Sequence, residues 1–432
     1  MHIPEILIVE SLHQPGNLGR LLTVIGEYGA LIDHITLDRR DENKSVWEIT
    51  VEMDEDRSPQ LYDRIDALPY AKLLGRSDRV FDRHRGGKIH TVSKVALDST
   101  QQLRDLYTPG VARVCLAIKE DPEKVWEYTN LGNTVAIVTN GSAILGLGPI
   151  GPVAGLPVME GKAMIYAKFV DISGVPILLD EKDPKKVIET VKAIAPSFGA
   201  IHLEDIAAPE CFEIEQTLAE TLDIPVMQDD QHGTAVVTLG ALHTAAHRVG
   251  KSLDNSIVGH IGLGAAGMGI AQLLMHHGVR RLIGTDLREN ALERLERLGG
   301  ERASLEDVMQ QADIVIATTG VKGLIKPEMV HKGQIIFALS NPESEIDPSV
   351  ALERGAAFAT DGRIINNALG FPALFRGALD ARAMHFTNAM FLAAAHTLAE
   401  LTPPHELLPH VLDRSVHAAV AAAVKDAALK EK

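Results

Sequence analysis

A glycine-rich turn in the second half of the chain constrains the fold more than any other feature. Residues 256–261 have the apolar, β-branched pattern of a buried strand, and Gly262, Gly264 and Gly267 follow in a G-x-G-x-x-G pattern that opens an apolar helix. Glycines at this spacing permit a tight turn whose backbone approaches a pyrophosphate closely. The pattern predicts a Rossmann-type dinucleotide-binding unit, with a plain βαβ turn as the alternative.

A second predicted strand, 281–285, ends in Asp286 at the distance expected of a ribose-binding acid. A carboxylate accepts hydrogen bonds from a 2′-hydroxyl and repels a 2′-phosphate, so it favours NAD. Arg288 lies two residues further on and leaves NADP possible. The expected cofactor contacts lie in the glycine turn or at the ends of predicted strands: Gly262, Gly264, Ala265, Ala266, Gly267, Asp286, Thr318 and Asn341.

Size and composition limit the remaining possibilities. A length of 432 residues suggests two to four domains, and a net charge of −16 argues against nucleic acid or an anionic membrane as a partner. The chain starts without a secretory signal pattern and has no apolar run long enough to span a bilayer, so we expect a cytoplasmic protein with no membrane partner. Cys115 and Cys211 are interpreted as two buried thiols, not as a disulfide or a zinc site.

The first 80 residues have the pattern of a small α/β module. Strands are predicted at 6–9, 31–37, 47–53 and 72–74, with one helix after the first strand and another after the third. This βαββαβ order predicts a ferredoxin-like unit. It resembles an ACT domain, in which the glycine turn after the first strand often lies beside an amino-acid effector at a subunit interface. Effector binding and dimerisation alone both remain open.

Two acidic pairs follow apolar strands in the first half of the large body. Glu204 and Asp205 end the predicted strand at 201–206, and Asp229 and Asp230 follow another short apolar run. Taken alone, the second pair could be helix N-caps. If the two strands are neighbours, however, their acids meet at one edge of the sheet. Clustered carboxylates need a cation, and oxygen ligands favour magnesium, manganese or calcium.

Three further polar positions are candidates for chemistry. Lys162 follows an apolar approach that could desolvate its ammonium group and lower its pKa towards neutrality, although most single lysines are solvated. Tyr107 precedes a Thr-Pro-Gly break, where a packing tyrosine is the alternative. Asn140 begins a turn before a glycine-rich run at 146–151, a pattern typical of backbone that approaches an anion.

Five ordered motifs together resemble those of the bacterial malic enzymes over roughly residues 88 to 400. The motifs are Tyr107-Thr108-Pro109-Gly110-Val111-Ala112, Thr139-Asn140-Gly141-Ser142, Glu160-Gly161-Lys162-Ala163, Leu203-Glu204-Asp205 and Asp229-Asp230-Gln231-His232-Gly233-Thr234. One departure is Pro149, where family members usually carry an acid; it leaves the conformation of the glycine-rich loop open.

The resemblance implies a role for each matching position. Glu204, Asp205 and Asp230 correspond to the ligands of Mn²⁺ or Mg²⁺, Lys162 to the general base and Tyr107 to the general acid. Asp229 is implied to orient a ligand or the lysine. The positions implied to bind substrate are Tyr107, Asn140, Lys162, Asn341 and Asn367. Asn341 and Asn367 could instead be turn residues.

The resemblance implies an α/β enzyme with an ACT-like module, a substrate and metal domain and a Rossmann NAD(P)-binding domain. We place the ACT-like module at 1–80, a linker at 81–92, the substrate and metal domain at 93–232, the Rossmann domain at 233–400 and a C-terminal helical segment at 401–432. The implied reaction is metal-dependent oxidative decarboxylation of L-malate to pyruvate in a homodimer or larger homo-oligomer. A small-molecule effector at the ACT-like module is one option for its regulation. The alternatives are a malolactic-type enzyme with retained NAD and an effector-sensing NAD-binding protein without turnover.

Overall fold

The computed structural model describes residues 2–41, 43–54, 58–77, 79–144, 146–341 and 343–431. The chain separates into two compact units, Met1–His90 and Thr91–Lys432. None of the helices in the described ranges combines the length and apolar character that a bilayer crossing requires.

The first unit is one antiparallel sheet with helices. Its elements are β1 (His2–Leu12), α1 (Asn17–Glu27), β2 (Leu31–Arg40), β3 (Lys44–Asp54), α2 (Ser58–Asp66), β4 (Ala71–Ser77) and α3 (Arg79–His84). The strand order is β2-β3-β1-β4. Alternate residues of β1, such as Leu7 and Val9, are buried with Leu21, Ile25 and Leu61 of the helices, which forms the core of this unit.

The predicted linker at 81–92 contains part of helix α3, which was not expected. Asp82 lies in the first turn of this helix and Arg83 and His84 lie in its last turn. Acids near the N-terminus and bases near the C-terminus favour a helix through its dipole, so the charge order explains the local structure. The domain boundaries stay a prediction.

The second unit begins with helices and a four-stranded parallel sheet. Its first elements are α4 (Thr100–Leu106), α5 (Val111–Glu120), α6 (Val125–Tyr128), β5 (Thr134–Thr139), α7 (Pro152–Val170), β6 (Ser173–Leu178), α8 (Pro184–Ile194), β7 (Ala200–Leu203), α9 (Glu210–Thr221) and β8 (Val226–Gln228). The strand order is β6-β5-β7-β8, and β7 pairs directly with β8. The strands that carry the two acidic pairs are therefore neighbours, as the metal-site prediction required.

A long helix, α10 (Asp229–Arg248), leads from this sheet to a second one. The sequence pattern from Gly233 to Val249 predicts a helix over 233–249, but the helix begins four residues earlier. The side chain of Gln228 accepts a hydrogen bond from the Gln231 backbone and caps it, so Asp229 and Asp230 lie in the first turn. Acids are favoured there by the helix dipole. The prediction that Gly233 and Thr234 cap the helix start is wrong, because Gln228 is the capping residue.

The second sheet has six parallel strands with helices between them. The elements are β9 (Ile257–Ile261), α11 (Ala265–His277), β10 (Arg281–Thr285), α12 (Glu289–Arg297), β11 (Glu301–Arg302), α13 (Leu305–Gln311), β12 (Ile314–Ala317), β13 (Ile335–Ala338), α14 (Pro348–Glu353) and β14 (Phe358–Asp361). The strand order β11-β10-β9-β12-β13-β14 is the Rossmann order, and it reverses between β9 and β12. This strand order confirms the fold predicted from the glycine turn. Ligands of such sheets bind at the reversal point.

Three helices complete the unit: α15 (Phe371–Ala381), α16 (Asn388–Glu400) and α17 (Arg414–Lys430). Short 3-10 helices lie at Pro122–Lys124, Leu131–Asn133, Ala195–Ser197, Leu253–Asn255, Pro327–Met329 and Asn367–Leu369. The small side chains of α16 and α17 allow close helix packing, with Ala394 and Val424 fully buried. The expectation of two buried thiols is half wrong, because Cys211 is buried but Cys115 is exposed.

Candidate active site

Carboxylates from the ends of β7 and β8 meet at one edge of the four-stranded sheet. Glu204, Asp205 and Asp230 each offer an oxygen atom, and these atoms lie within 4.8 Å of one another. Asp230 Oδ2 accepts hydrogen bonds from the Asp205 backbone at 3.1 Å and from the Gln228 side chain at 2.5 Å. Asp205 has a φ of +53°, a conformation that costs free energy for a residue with a side chain and is found most often at functional sites.

Lys162 projects from α7 onto the same carboxylates. Its Nζ donates to Asp229 Oδ2 at 2.5 Å and lies 3.1 Å from Glu204 Oε1. The ammonium group also lies 4.4 Å from the centre of the Phe371 ring, within range of a cation–π interaction. The lysine predicted as a base is thus held between two buried acids and an aromatic face.

His202 belongs to this network and was not predicted. Its Nε2 lies 2.5 Å from Glu204 Oε2, and its Nδ1 lies 2.8 Å from the Tyr166 hydroxyl. The ring stacks on Phe375 at a centroid distance of 5.3 Å. The available signal was the period of two in the strand, which places residues 202 and 204 on one face of the sheet.

The charges in this cluster shift the pKa values of its members. Burial would lower the pKa of Lys162, but the carboxylates of Asp229 and Glu204 outweigh burial and raise it. The expected lowering of the Lys162 pKa is therefore wrong for this set of charges. Burial would also raise the pKa of Glu204, but Lys162 and His202 lower it. Burial raises the pKa of Asp229.

The pKa of Asp230 is raised well above its usual range by burial and by the charges of Glu204 and Asp205. Buried carboxylates that repel one another in this way are stabilised by a cation. Magnesium and manganese prefer oxygen ligands, and these three side chains supply them. The residues therefore fit a divalent metal ion of this kind.

Gly233 is required by the neighbouring acid. A Cβ atom at this position would lie 1.8 Å from Asp229 Oδ1. That oxygen is buried and has no hydrogen-bond partner among the described residues. Any side chain at position 233 would displace the carboxylate that holds Lys162, which gives a physical reason for the glycine in this motif.

The glycine turn forms the second part of the site. Gly262, Gly264, Asp286 and Thr318 line a cleft of about 610 Å³. Asp286 Oδ2 accepts a hydrogen bond from the Leu263 backbone at 2.7 Å. The Arg288 side chain contacts the same carboxylate, with Nε 3.2 Å from Asp286 Oδ1, so this cation is positioned beside the predicted ribose-binding acid. Asp286 has a lowered pKa because hydrogen bonds from Arg288 and Leu263 outweigh burial.

A cavity of about 530 Å³ joins the two parts. Its lining includes Lys162 and the three carboxylates Glu204, Asp205 and Asp230. It also includes residues of the Rossmann half and of the loops that follow its strands: Ala266, Thr318, Ser340, Asn341, Arg363, Asn366 and Asn367. Thr318 lines both this cavity and the cofactor cleft. A small substrate beside the carboxylates and a dinucleotide in the cleft can therefore come into contact in this cavity.

Two of the five predicted substrate-binding residues do not line this cavity. Tyr107 lies at the end of α4 with 66% of its surface exposed. Asn140 is buried, and its side chain holds the local turn: it donates to the Glu181 carbonyl at 3.2 Å and accepts from the Ser142 hydroxyl at 2.6 Å. Within this chain Asn140 stabilises the turn, and Tyr107 does not line the cavity that contains Lys162.

Other predicted positions support the site from its edges. Gly267 packs inside the glycine turn, because a Cβ there would lie 2.1 Å from the Gly262 carbonyl oxygen. Asn367 donates to the Thr234 hydroxyl at 2.9 Å. The loop around Pro149 is a tight turn in which the Ile150 backbone donates to the Gly148 carbonyl at 2.9 Å, just before α7. Arg363 and Phe371, which line the cavity, were not predicted.

Comparison with known proteins identifies the class to which this fold and site belong. The malic enzyme N-terminal domain model matches residues 86–219, and the malic enzyme NAD-binding domain model matches residues 362–429. Residues 224–326 match the NAD-binding domain model of D-isomer specific 2-hydroxyacid dehydrogenases. The chain belongs to the malic enzyme family.

Individual relatives resemble the chain over most of its length. The NAD-dependent malic enzyme 1 of Bacillus subtilis (strain 168) is 50% identical over 99% of this chain and 98% of its own length. The bifunctional malic/malolactic enzyme of the same organism is 43% identical over 80% of this chain and 90% of its own. The crystal structure of malic enzyme from Pyrococcus horikoshii Ot3 has a TM-score of 0.76 and 41% identity, and covers 80% of this chain and 87% of that one.

Proposed function

We propose that this chain catalyses the oxidative decarboxylation of L-malate to pyruvate and carbon dioxide, with NAD as the oxidant. The observation that carries the proposal is the single cavity in which Lys162 and three carboxylates face residues of the Rossmann half. The reaction needs a proton acceptor, a cation and a nicotinamide at one carbon atom, and this cavity can accommodate all three.

The metal and the cofactor supply the chemistry that side chains cannot. Glu204, Asp205 and Asp230 would hold Mg²⁺ or Mn²⁺, which would supply a Lewis acid for the substrate oxygens, and NAD would supply the hydride acceptor. Asp286 would accept a hydrogen bond from the ribose 2′-hydroxyl of NAD. Arg288 beside it would allow a weaker activity with NADP.

Lys162 first gives one ammonium proton to Asp229, and its neutral Nζ then takes the proton from the C2 hydroxyl of malate. Asp229 Oδ2 lies 2.5 Å from this nitrogen, and burial raises the Asp229 pKa, so the acid can share the proton. The pair therefore stores a proton between oxidation and the later protonation of the product. Phe371 covers Lys162 and limits the access of water to this proton.

Tyr107 would enter the site from a second copy of the chain. Helices α4 and α5 bury no residue, and the segment around them exposes the apolar side chains Val92, Val95, Leu97, Leu103, Leu106 and Leu116. An apolar surface of this kind is typical of an interface. A homodimer that covers this segment would place the tyrosine where it can protonate the enol in the second copy's cavity.

Mixing two inactive variants tests this arrangement. Tyr107→Phe and Lys162→Ala homodimers are each inactive, but a mixed dimer has one intact site if tyrosine and lysine come from different copies. Random re-association then restores about a quarter of wild-type activity, by simple counting of subunits. No recovery, with mixed dimers verified by mass spectrometry, would place both residues in the same copy.

The first unit is proposed to act as an ACT-like module that dimerises the protein or binds a small effector. Its sheet exposes apolar side chains on the outer strand β2, including Leu31 and Leu37. Removal of residues 1–80 should change the oligomeric state or the response of the rate to free amino acids. If sedimentation and kinetics stay the same, this proposal is wrong.

The main test is an initial-rate assay with malate and Mn²⁺, comparing NAD and NADP. We expect reduced NAD and pyruvate in equal amounts, with removal of the metal by a chelator abolishing the rate. A malolactic reaction is the second candidate, because one relative carries that activity in its name. Lactate formed without net reduction of NAD would identify it, and binding of NAD without any turnover would support the effector-sensing alternative.

A further inference from the structure

Three histidines from three helices meet far from the proposed active site. His243 lies on α10, His277 ends α11 and His396 lies on α16. Each offers one ring nitrogen, and the three nitrogens lie within 4.8 Å of one another. The ring planes are nearly perpendicular, with interplanar angles between 80° and 88°. Packed aromatic rings also adopt this edge-to-face arrangement, so it is the convergence of the three nitrogens that indicates a shared ligand.

The surroundings of the histidines favour a bound cation. The Nε2 atom of His243 is buried and has no hydrogen-bond partner within the described part of the chain. A buried polar atom in this state costs free energy, which a ligand would recover. His277 Nε2 lies 3.2 Å from a carboxylate oxygen of Asp254. A carboxylate that accepts from one ring nitrogen orients the other towards a metal in many protein sites.

This histidine cluster differs from the carboxylate site in place and in chemistry. Asp229 begins α10 and His243 lies fourteen residues further along the same helix. At about 1.5 Å per residue this separates the two by about 21 Å. Magnesium and manganese select oxygen ligands, whereas imidazole suits zinc, copper and nickel. The two sites would therefore take different ions.

We infer that His243, His277 and His396 bind one transition-metal ion of the zinc type, with Asp254 orienting His277. Ligand nitrogens around tetrahedral zinc lie about 3.3 Å apart for a Zn–N distance of about 2.0–2.1 Å, so small side-chain rotations would close the cluster around the ion. A cavity of about 960 Å³, lined by the three histidines together with His247, Arg248 and Glu400, lies beside it. Water in this cavity can occupy the fourth position.

The bound ion would tie three helices of the second unit together. Metal ligation that exists only in the folded state adds its binding free energy to stability. The ion would link α10, which starts at the carboxylates, to α11, which starts at the glycine turn. The inference does not depend on the proposed reaction, because it concerns residues outside that cavity.

Cobalt(II) is the probe, because tetrahedral Co²⁺ has an intense visible absorption and replaces zinc. The full-length protein is titrated with Co²⁺ in excess Mg²⁺, which occupies the carboxylate site. We expect a band that saturates at one equivalent and that Zn²⁺ displaces. His396→Gln, at an exposed position that should not affect folding, should weaken binding at least about 100-fold, and Asp254→Asn by about 10–100-fold.

His276→Gln is the matched control. His276 is the neighbour of His277 on α11, is exposed, and bonds to the Gln272 carbonyl at 2.8 Å. This variant should keep the full absorption band and the rise in melting temperature that Zn²⁺ gives the wild type. A wild-type protein without saturable Co²⁺ binding, a band that survives in His396→Gln, or a band lost equally in His276→Gln would each overturn the inference. Malate turnover with Mn²⁺ is measured in parallel and should be unchanged in His396→Gln.

Discussion

The two parallel sheets of the second unit both carry a site at the ends of their strands, yet they build it from opposite materials. The four-stranded sheet presents ionised side chains, with Lys162 held between Asp229 and Glu204. The six-stranded sheet presents mainly backbone in its glycine turn, with Asp286 as its acid beside Arg288. The first site depends on the charges of its side chains. The second depends on how closely a ligand can approach the backbone.

Two buried histidines show the same contrast. His202 in β7 is fully buried but has partners on both ring nitrogens, Glu204 and Tyr166. His260 in β9 is also fully buried, and burial lowers its pKa to about 4. A histidine buried in an apolar sheet without a charged partner must remain neutral. The difference leads to separate predictions for each sheet.

Replacing Lys162 should have the largest effect, because it breaks the charged site at its centre. Lys162→Ala removes the proposed proton acceptor and leaves Asp229 and Glu204 without the ammonium group that they contact. We expect kcat for malate oxidation to fall by about 10²–10⁴-fold, the usual contribution of general acid–base catalysis. Binding of NAD, measured by fluorescence titration, should remain within about twofold, by the near-additivity of distant sites.

The control is Lys168→Ala, an exposed lysine in the last turn of the same helix. It removes the same side chain without touching the acids and should keep wild-type kinetics. If Lys162→Ala retained near-wild-type turnover, the base would have to be another residue. If it also lost NAD binding, the two sites could not be regarded as separate.

The next largest effect is expected on the free energy of unfolding at acidic pH, through the buried His260 of the six-stranded sheet. The unfolded chain has an ordinary histidine pKa of about 6.5, above the folded value of about 4 for His260. Between these values the unfolded state binds more protons, so this histidine destabilises the fold as the pH falls through that window, by about 3 kcal/mol in total. Above about pH 6.5 it has no such effect.

His260→Val should flatten this part of the pH profile, because valine suits a buried strand and does not titrate. Urea unfolding of the wild type and the variant at several pH values between 4 and 8 measures the difference. His276→Gln, exposed on α11, should follow the wild type. Parallel curves for wild type and His260→Val would show that His260 is not the group responsible.

Sequence reasoning predicted some parts of this molecule and could not reach others. The glycine turn fixes a βαβ unit locally, and the alternation of β-strands and helices fixes the parallel sheets, so the Rossmann order was accessible. The meeting of Glu204 with Asp230 followed from strand ends at one sheet edge. The roles assigned to these residues remain a prediction.

Other features depend on the packed structure. The sign of the Lys162 pKa shift results from two opposing effects, burial and neighbouring acids, whose balance needs distances. The exposure of Tyr107 could not be predicted from its motif, because a local motif does not show which other parts of the chain cover a side chain. The histidine cluster joins residues 243, 277 and 396, which no local spacing connects.

A smaller effect is expected from filling the glycine turn. Gly267→Ala would bring a Cβ atom 2.1 Å from the Gly262 carbonyl oxygen, so the turn must shift. Overpacking of this kind costs about 1–3 kcal/mol of folding stability. The shifted turn should also raise the NAD dissociation constant. Gly264→Ala, whose Cβ would meet nothing nearer than 3.9 Å, should lose less. Equal losses, measured by calorimetry, would show that pyrophosphate approach and not internal packing is limiting.

The smallest effect is expected from Asp286→Asn, which separates the role of the carboxylate charge from that of the backbone in the glycine-turn cleft. Asp286→Asn keeps an oxygen for the Leu263 backbone but removes the negative charge beside Arg288. Losing one charged hydrogen bond to the ribose should raise KM for NAD about tenfold. KM for NADP should fall, because a 2′-phosphate is no longer repelled and Arg288 is free to bind it. Glu293→Gln, an exposed acid on α12, should change neither value. If Asp286→Asn instead weakened NAD and NADP equally, the acid would act by holding the turn through Leu263, and cofactor choice would have to lie with other residues of the cleft.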